Sequence, residues 1–396
     1  MLNYPTMRRT MATFLCLLAG AVSACAMDLA RIEALVDAAV LQFGVQGRGV
    51  LVVIIDRGLD YANNDFRKPD GTTRITEMFD LTDNTGAKAA NNPYGMGTIY
   101  TQAQINAALA AGGTALAEQD YEGHGTTTTG IAAGNGFNSR DWKYRGEAPK
   151  ATLLIVNVVE GVNPLPPGVA TPPGESSLFP IGLMYAQNKA KQLGMPAVVL
   201  YNSGAVGGPG DGSSSGAQLV NTVVGPGIPG IAFVTGTSDD GGMPNHAQTT
   251  VAQGQGVALN ITQTGTVPFS LDLWYPTTDL YTVTIQTPTA TYGPYAAPAT
   301  NTTCSDTQKT ADFSYFQCGA SNSTWGPVTA RQLEIDFTGN PGNYTITIQG
   351  TKASGGQFNA WLSTDETAVG ASALGAAFTN LSRSGLYHVG RRGGIQ

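Results

Sequence analysis

Four stretches of the chain are apolar at nearly every position: 49–56, 151–158, 197–201 and 231–234. A strand with one wet face alternates apolar and polar residues, so continuous apolar runs of this length mark strands covered on both faces. Segments of helical pattern lie between them, at about 102–111, 125–133 and 177–193. Strands alternating with helices predict a doubly wound α/β domain around a parallel sheet, with chemistry gathered at the carboxyl ends of the strands. A short lead over 27–48 precedes the first strand, with a helical pattern at Leu29, Ile32, Leu35, Val36 and Val40.

Near residue 250 the period changes. Segments 257–263, 270–275, 281–286, 332–337, 344–349 and 358–362 alternate apolar with polar, are rich in Thr, Tyr and Val, and are separated by turn residues. They predict an antiparallel β-sandwich of about 110 residues, lectin-like or jelly-roll-like. Fold alone assigns it no ligand.

Composition narrows the function classes. The chain has 396 residues and a formal charge of −7, which argues against a nucleic-acid or anionic-membrane surface. Arg8 and Arg9 precede an apolar run over 11–22 that is short for a bilayer span, and Ala24-Cys25-Ala26 offers a small-x-small cleavage site. The N-terminus therefore reads as an export signal, and the protein is expected to be secreted, or held at the cell surface or in the periplasm. Val22-Ser23-Ala24-Cys25 also resembles a bacterial lipoprotein box; lipidation of Cys25 is the one route by which a membrane enters the picture. Outside this region only Cys304 and Cys318 remain, and export makes a disulfide between them the expectation. Four Asn-x-Ser/Thr sequons, at Asn260, Asn301, Asn322 and Asn343, are read as polar surface.

The candidate chemistry begins at Asp56, which ends the first apolar run and is followed by Gly58 and Asp60. His124 stands in Gly123-His124-Gly125-Thr126, just before Gly130-Ile131-Ala132-Ala133-Gly134. A serine hydroxyl needs a base within hydrogen-bond reach and that base needs an orienting carboxylate, so an aspartate followed by a glycine-flanked histidine supplies two parts of a triad. Further along come Asp65-Phe66, Gly146-x-Ala148-Pro149-x-Ala151 and Ser382-Arg383-Ser384-Gly385. In this order, over about 340 residues, these motifs resemble the subtilisin-like serine proteases, the subtilases. Taken singly, an aspartate after a strand is usually a turn residue and a Gly-His-Gly usually a loop. His246 is read as a loop residue near the sandwich junction and His388 as surface.

The resemblance implies a serine endopeptidase acting on protein or peptide substrates, with no cofactor, and a monomer is expected. Asn202, Ser203 and Gly204 match the strand that pairs with substrate backbone in that family, and the Gly207–Gly212 loop would border the groove. Structural calcium is common in the family, but no acidic loop here has ligand spacing that supports it. Thr237 occupies the position of the oxyanion-hole asparagine, and its shorter hydroxyl is a weak substitute. Arg57 replaces a small hydroxyl residue beside Asp56, where it is expected to depress the Asp56 pKa or crowd His124. Four β-branched residues, Thr126 to Thr129, open the histidine helix against their propensity.

The segment Thr367–Ala371 and the block over 378–385 resemble family blocks that precede the nucleophile. Ser372 mimics the nucleophile's surroundings only superficially, since the expected proline is missing. The Gly-Thr-Ser-Met-Ala segment itself is not present, so the serine is expected beyond Gln396 and little proteolysis is expected of these residues alone. The expected organisation is an export signal over 1–26, the lead over 27–48, a subtilisin-like α/β domain over 49–250, an inserted β-sandwich over 251–365, and a resumed, incomplete α/β segment over 366–396. The alternative reading is a subtilase-like scaffold retired from catalysis that acts as a surface binding protein.

Overall fold

The computed structural model describes residues 26–83, 92–120, 123–158, 175–202, 207–236, 245–364 and 372–374. They divide into two compact units: residues up to 202 with 230–234, and 203–229 with those from 235 onward.

The first unit opens with helices α1 (Ala26–Glu33) and α2 (Val36–Phe43). The lead is thus two short helices rather than one, because Leu35 between them adopts a left-handed backbone (φ 57°). Arg31 anchors the pair: its buried guanidinium donates to the Gly146 carbonyl at 2.5 Å and pairs with Asp37 at 2.7 Å.

Strands β1 (Leu51–Asp56), β2 (Ile75–Asp80), β3 (Thr98–Thr101), β4 (Thr152–Asn157), β5 (Ala197–Tyr201) and β6 (Ile231–Thr235) form one sheet in the order β3-β2-β4-β1-β5-β6. β2, β4, β1 and β5 run parallel, and β3 is antiparallel on the β2 edge. Every residue of β1 is buried, as its unbroken apolar run predicts. Helices α3 (Gln102–Ala110), α4 (His124–Ala133) and α5 (Glu175–Leu193) complete the layers, and α4 and α5 both pack against β1. Val52, Ile54, Ile75, Met78, Ile105, Leu153 and Ile155 share one core cluster. Among the described residues no helix is long and apolar enough to cross a membrane.

In the second unit α6 (Ser215–Val223) starts at a Ser214 cap, whose hydroxyl accepts from the Ala217 amide. Strands β7 (His246–Ala252), β8 (Gly256–Gln263), β9 (Phe269–Pro276), β10 (Leu280–Gln286), β11 (Thr291–Ala296), β12 (Gln308–Lys309), β13 (Phe313–Cys318), β14 (Ala330–Phe337), β15 (Gly342–Lys352), β16 (Ser354–Thr364) and β17 (Ser372–Leu374) follow. They make two antiparallel sheets, β11-β10-β15-β8-β17 and β12-β13-β14-β9-β16-β7. Alternate residues such as Leu259, Ile261, Leu271, Leu273, Val283, Ile285, Ile335 and Ile346 fill the core between them. The protein is therefore a doubly wound α/β sheet together with an antiparallel β-sandwich.

Two boundaries differ from the sequence reading. The sandwich starts at His246, because β7 pairs with β16 in full register from His246 to Thr250. Ser372–Leu374, expected in resumed α/β structure, instead pairs with Ile261–Gln263 of the sandwich. The rest of the expected α/β resumption, including the 378–385 block and His388, lies outside the described residues.

Candidate active site

β1 carries Asp56 to the carboxyl end of the sheet between β4 and β5, where open α/β sheets collect their functional groups. The carboxyl is 1% exposed. Its Oδ1 accepts the Arg57 backbone N–H at 2.7 Å and meets His124 Nδ1 at 2.5 Å. Its Oδ2 is buried and makes no hydrogen bond among the described residues. Burial pushes the Asp56 pKa up, and the hydrogen bond and charge of His124, the Arg57 N–H and the Thr128 hydroxyl pull against that rise. Arg57 does pull the Asp56 pKa down, as expected, but the net shift is upward because burial is the larger effect. Desolvation outweighs every local donor, and Arg57 acts on the carboxyl through its backbone amide.

His124 is the first residue of α4, after Gly123 in a left-handed conformation (φ 80°). Its ring is 38% exposed. One edge is thus held by a buried carboxylate while part of the ring reaches solvent, which is the arrangement a general base needs.

Glycine at the next position lets the histidine helix come this close. A Cβ on Gly125 would sit 2.0 Å from the Gly58 carbonyl oxygen and 3.4 Å from Asp56 Cβ. Gly58 itself turns at φ 106°, and a Cβ there would meet the Gln119 carbonyl at 2.5 Å.

The loop before α4 fixes both halves of the dyad through two residues the sequence reading missed. Asp120 accepts the Gly123 and Thr126 amides, each at 2.8 Å, so a carboxylate caps the amino end of the helix. Glu118, buried, accepts the Leu59 amide at 2.7 Å and so pins the turn that leaves Asp56. Burial, and then the nearby Asp80, hold the Glu118 carboxyl far above its ordinary pKa. The available signal was an acidic residue ahead of a helix start, a common capping pattern.

The four threonines of α4 are each engaged. Thr126 Oγ1 accepts from the Asp60 amide at 2.9 Å. The Thr127 and Thr129 hydroxyls donate back to the Gly123 and Gly125 carbonyls, both at 2.7 Å. Thr128 Oγ1 instead accepts from the Asn202 side-chain amide at 3.2 Å. Polar side chains of low helix propensity are thus tolerated because they tie the helix to the loops around it.

Asn202, expected on the substrate strand, follows the end of β5 and directs its amide to Thr128. Ser203, Gly204 and Thr237 lie outside the described residues. The Gly207–Gly212 loop, expected along a groove, is tied to the sandwich: the Gly208 amide donates to Asp272 at 2.7 Å and packs near Trp325. His246 is no loop residue. It is buried in β7 and stacks on Trp361 with ring centroids 3.8 Å apart. Cys304 and Cys318 form a disulfide. Among the described residues no three His, Cys, Asp or Glu side chains gather as metal ligands.

Residues 47–168, which contain the whole of this arrangement except Asn202, match the sequence pattern of the subtilase family. No curated protein sequence matches the chain. Among solved structures, the CspB protease of Clostridium perfringens superposes with a TM-score of 0.65 at 22% identity, over 83% of this chain and 64% of its own. That likeness bears on the fold, and this chain spans less than two thirds of that protease. The S41 psychrophilic protease and sphericase align with TM-scores of 0.32 and 0.31 at 17% identity, over 53% and 50% of this chain and 53% and 48% of theirs. Alignments that loose carry no argument.

Proposed function

We propose, for a chain whose residues 47–168 belong to the subtilase family, that it serves an exported serine endopeptidase with His124 as its general base and Asp56 as the carboxylate that orients it. The observation that carries this reading is the 2.5 Å contact between His124 Nδ1 and the buried Asp56 Oδ1 at the carboxyl end of the central strand. With Nδ1 engaged by the carboxylate, Nε2 is the nitrogen left to take the proton of a serine hydroxyl as it attacks a peptide carbonyl, and then to deliver it to the departing amine. Asp56 keeps the imidazole in that tautomer and stabilises the imidazolium that forms. The disulfide supports the exported part of the reading, since such bonds persist in oxidising compartments.

The test uses the full-length gene product with a fluorophosphonate probe and a fluorogenic peptide. Wild-type protein is expected to be labelled and to turn over peptide. Asp56→Asn and His124→Ala are each expected to lose on the order of 10⁴-fold in turnover, the scale of triad disruption. A full-length protein that is folded, unlabelled and inert would instead make this a binding scaffold that keeps the dyad without the chemistry.

A further inference from the structure

We infer that the apolar face built by α1, α2 and the loop over 136–145 is a lipid-contacting surface, which seats the first unit on a bilayer. It stands independently of the chemistry proposed for Asp56 and His124.

The face is where the first unit leaves its large apolar side chains uncovered. Of the twelve exposed among the described residues, nine belong to the lead, to this loop or to the end of α4, the exceptions being Met184, Leu193 and Val234. Ile32, Leu35, Leu41, Phe43 and Val45 come from the lead, with Leu41 90% exposed. α2 reads Val-Asp-Ala-Ala-Val-Leu-Gln-Phe, and none of its residues is buried. A helix of two turns is not held by its own hydrogen bonds, and one this apolar draws its stability from a surface that covers it. The loop adds aromatic rings. Phe137 and Trp142 meet edge to face at 5.8 Å, and Lys143 Nζ lies 5.1 Å over the ring of the exposed Tyr144. The same residues tie both parts into one surface. Arg31 of α1 pairs with Asp37 of α2 and donates to the Gly146 carbonyl, while Arg145 reaches Asp37 at 3.7 Å. The Glu147 amide donates to the Ile131 carbonyl, which joins the exposed Ile131 to the face.

The chain directly ahead of α1 names lipid as the occupant. The apolar run over 11–22 and the Val22-Ser23-Ala24-Cys25 box end one residue before Ala26, where α1 begins. At such a box the cysteine sulfur takes the diacylglyceryl group of a phospholipid. An S–C bond forms, the C–O bond to the phosphate breaks, the thiol proton leaves with the phosphate headgroup, and water then splits the Ala24–Cys25 peptide bond. Acyl chains on Cys25 would hold the protein at a bilayer without orienting it, and an apolar face adjoining them decides which side meets the lipid. The composition of the face agrees, since Trp and Tyr with a lysine beside them suit the headgroup boundary. Glu33 and Glu147 border the same face and Asp37 is engaged by two arginines, so burial of apolar area drives the contact and lipid charge does not. Among the described residues no helix is long and apolar enough to cross, so the face lies on the bilayer. Ile131 follows His124 by seven residues in α4, roughly 10 Å along the axis, which keeps the dyad clear of the lipid.

The experiment mixes the exported full-length gene product with neutral phosphatidylcholine vesicles, plain or brominated on the acyl chains, and reads tryptophan fluorescence. Bromine quenches only an indole that reaches acyl depth. Trp274 and Trp361 are buried, and the difference between wild type and Trp142→Phe isolates Trp142 from the other tryptophans. Brominated vesicles are expected to quench wild type and to leave Trp142→Phe as bright as plain vesicles do. Leu41→Ser combined with Phe43→Ser should keep the wild-type melting temperature and reduce the quenching to about half or less, because less apolar area is left to insert. Equal fluorescence of wild type in plain and brominated vesicles overturns the inference, even where the protein sediments with them, since the lipid would then be a tether that the face does not meet. A dimer in analytical ultracentrifugation that the double serine variant dissolves, with Trp142 unquenched, overturns it as well, because a second copy would then cover the face. Should the double variant not fold, the comparison of wild type with Trp142→Phe decides by itself.

Discussion

At the scale of single residues the site depends on what is missing from Gly125. The histidine helix begins against the turn after Asp56, and the 2.0 Å that a Cβ would leave to the Gly58 carbonyl is a backbone collision that no rotamer relieves. Gly125→Ala is therefore expected to push α4 outward, to destabilise the first unit by about 1–3 kcal/mol as overpacking does, and to abolish the downfield NMR resonance of the His124 Nδ1 proton bonded to Asp56. Thermal unfolding together with that resonance checks it; an alanine variant that keeps both would mean the turn at Gly58 yields freely. Gly125, Asp56 and His124 were legible in sequence because each sits in a local pattern, a strand end or a glycine-flanked helix start. Glu118 and Asp120 were not, since an acidic residue in a loop reveals its amide partners only once the loop has closed on Leu59, Gly123 and Thr126. The net upward shift of Asp56 was missed for a related reason. A neighbouring residue is visible in a sequence, but the desolvation that outweighs its amide hydrogen bond at Asp56 is a property of the folded sheet.

At the scale of elements, legibility followed the hydrophobic period. β1, β4 and β5 announced themselves as unbroken apolar runs, and six sandwich strands as alternation. β2 did not, because Thr76, Glu77 and Asp80 interrupt Ile75–Asp80. Glu77 is accommodated only because α5 neutralises it, through the Tyr185 hydroxyl and through Lys189 at 2.7 Å. β7 escaped for the same reason, since its inward pattern rests on Ala247 and Val251, while His246, read as a loop residue, finds its apolar partner in Trp361 across the strand pair. β12 and β13 emerge beside the disulfide, which closes the loop from Cys304 to the end of β13 across an isolated bridge. A loop of 14 residues' separation is held at a stabilisation of about 3 kcal/mol on the chain-entropy account. Replacing both cysteines by serine should lower the unfolding free energy of the sandwich by about that much in a urea titration. A loss below about 1 kcal/mol would show that β12 and β13 order this loop without help.

At the scale of the molecule, two carboxyls, Asp80 in the first unit and Asp312 in the second, respond to acid in opposite ways. In the first unit burial pushes Asp80 up to about 6, with the Thr82 hydrogen bonds opposing it and Asp83 adding to it. Asp56 and Glu118 are raised by burial as well. A carboxyl raised in this way binds its proton in the folded chain where the unfolded chain has released it. Stability therefore falls as pH climbs, for Asp80 between 3.8 and about 6, and stays lower above that window. Asp80→Asn keeps the oxygen that accepts from Thr82 and Asp83 but removes the charge. It should match wild type at pH 3, below the unfolded value, and exceed it by an amount growing to at most about 3 kcal/mol at pH 7. The second unit holds both signs: burial raises Glu334, to about 7, and Asp272, whereas Asp312 is lowered. The hydroxyls of Thr287 and Thr289 keep Asp312 below its ordinary pKa, so its contribution is present above about 3.8 and is lost as pH falls through the folded value. Asp312→Asn should thus cost stability at neutral pH and cost nothing in strong acid. Amide exchange over β2 for Asp80→Asn and over β13 for Asp312→Asn, each taken as the difference from wild type from pH 3 to 8, isolates the two trends. Parallel responses in the two variants would refute the assignment, because burial lifts one carboxyl and donated hydrogen bonds lower the other, and these effects run in opposite directions with pH.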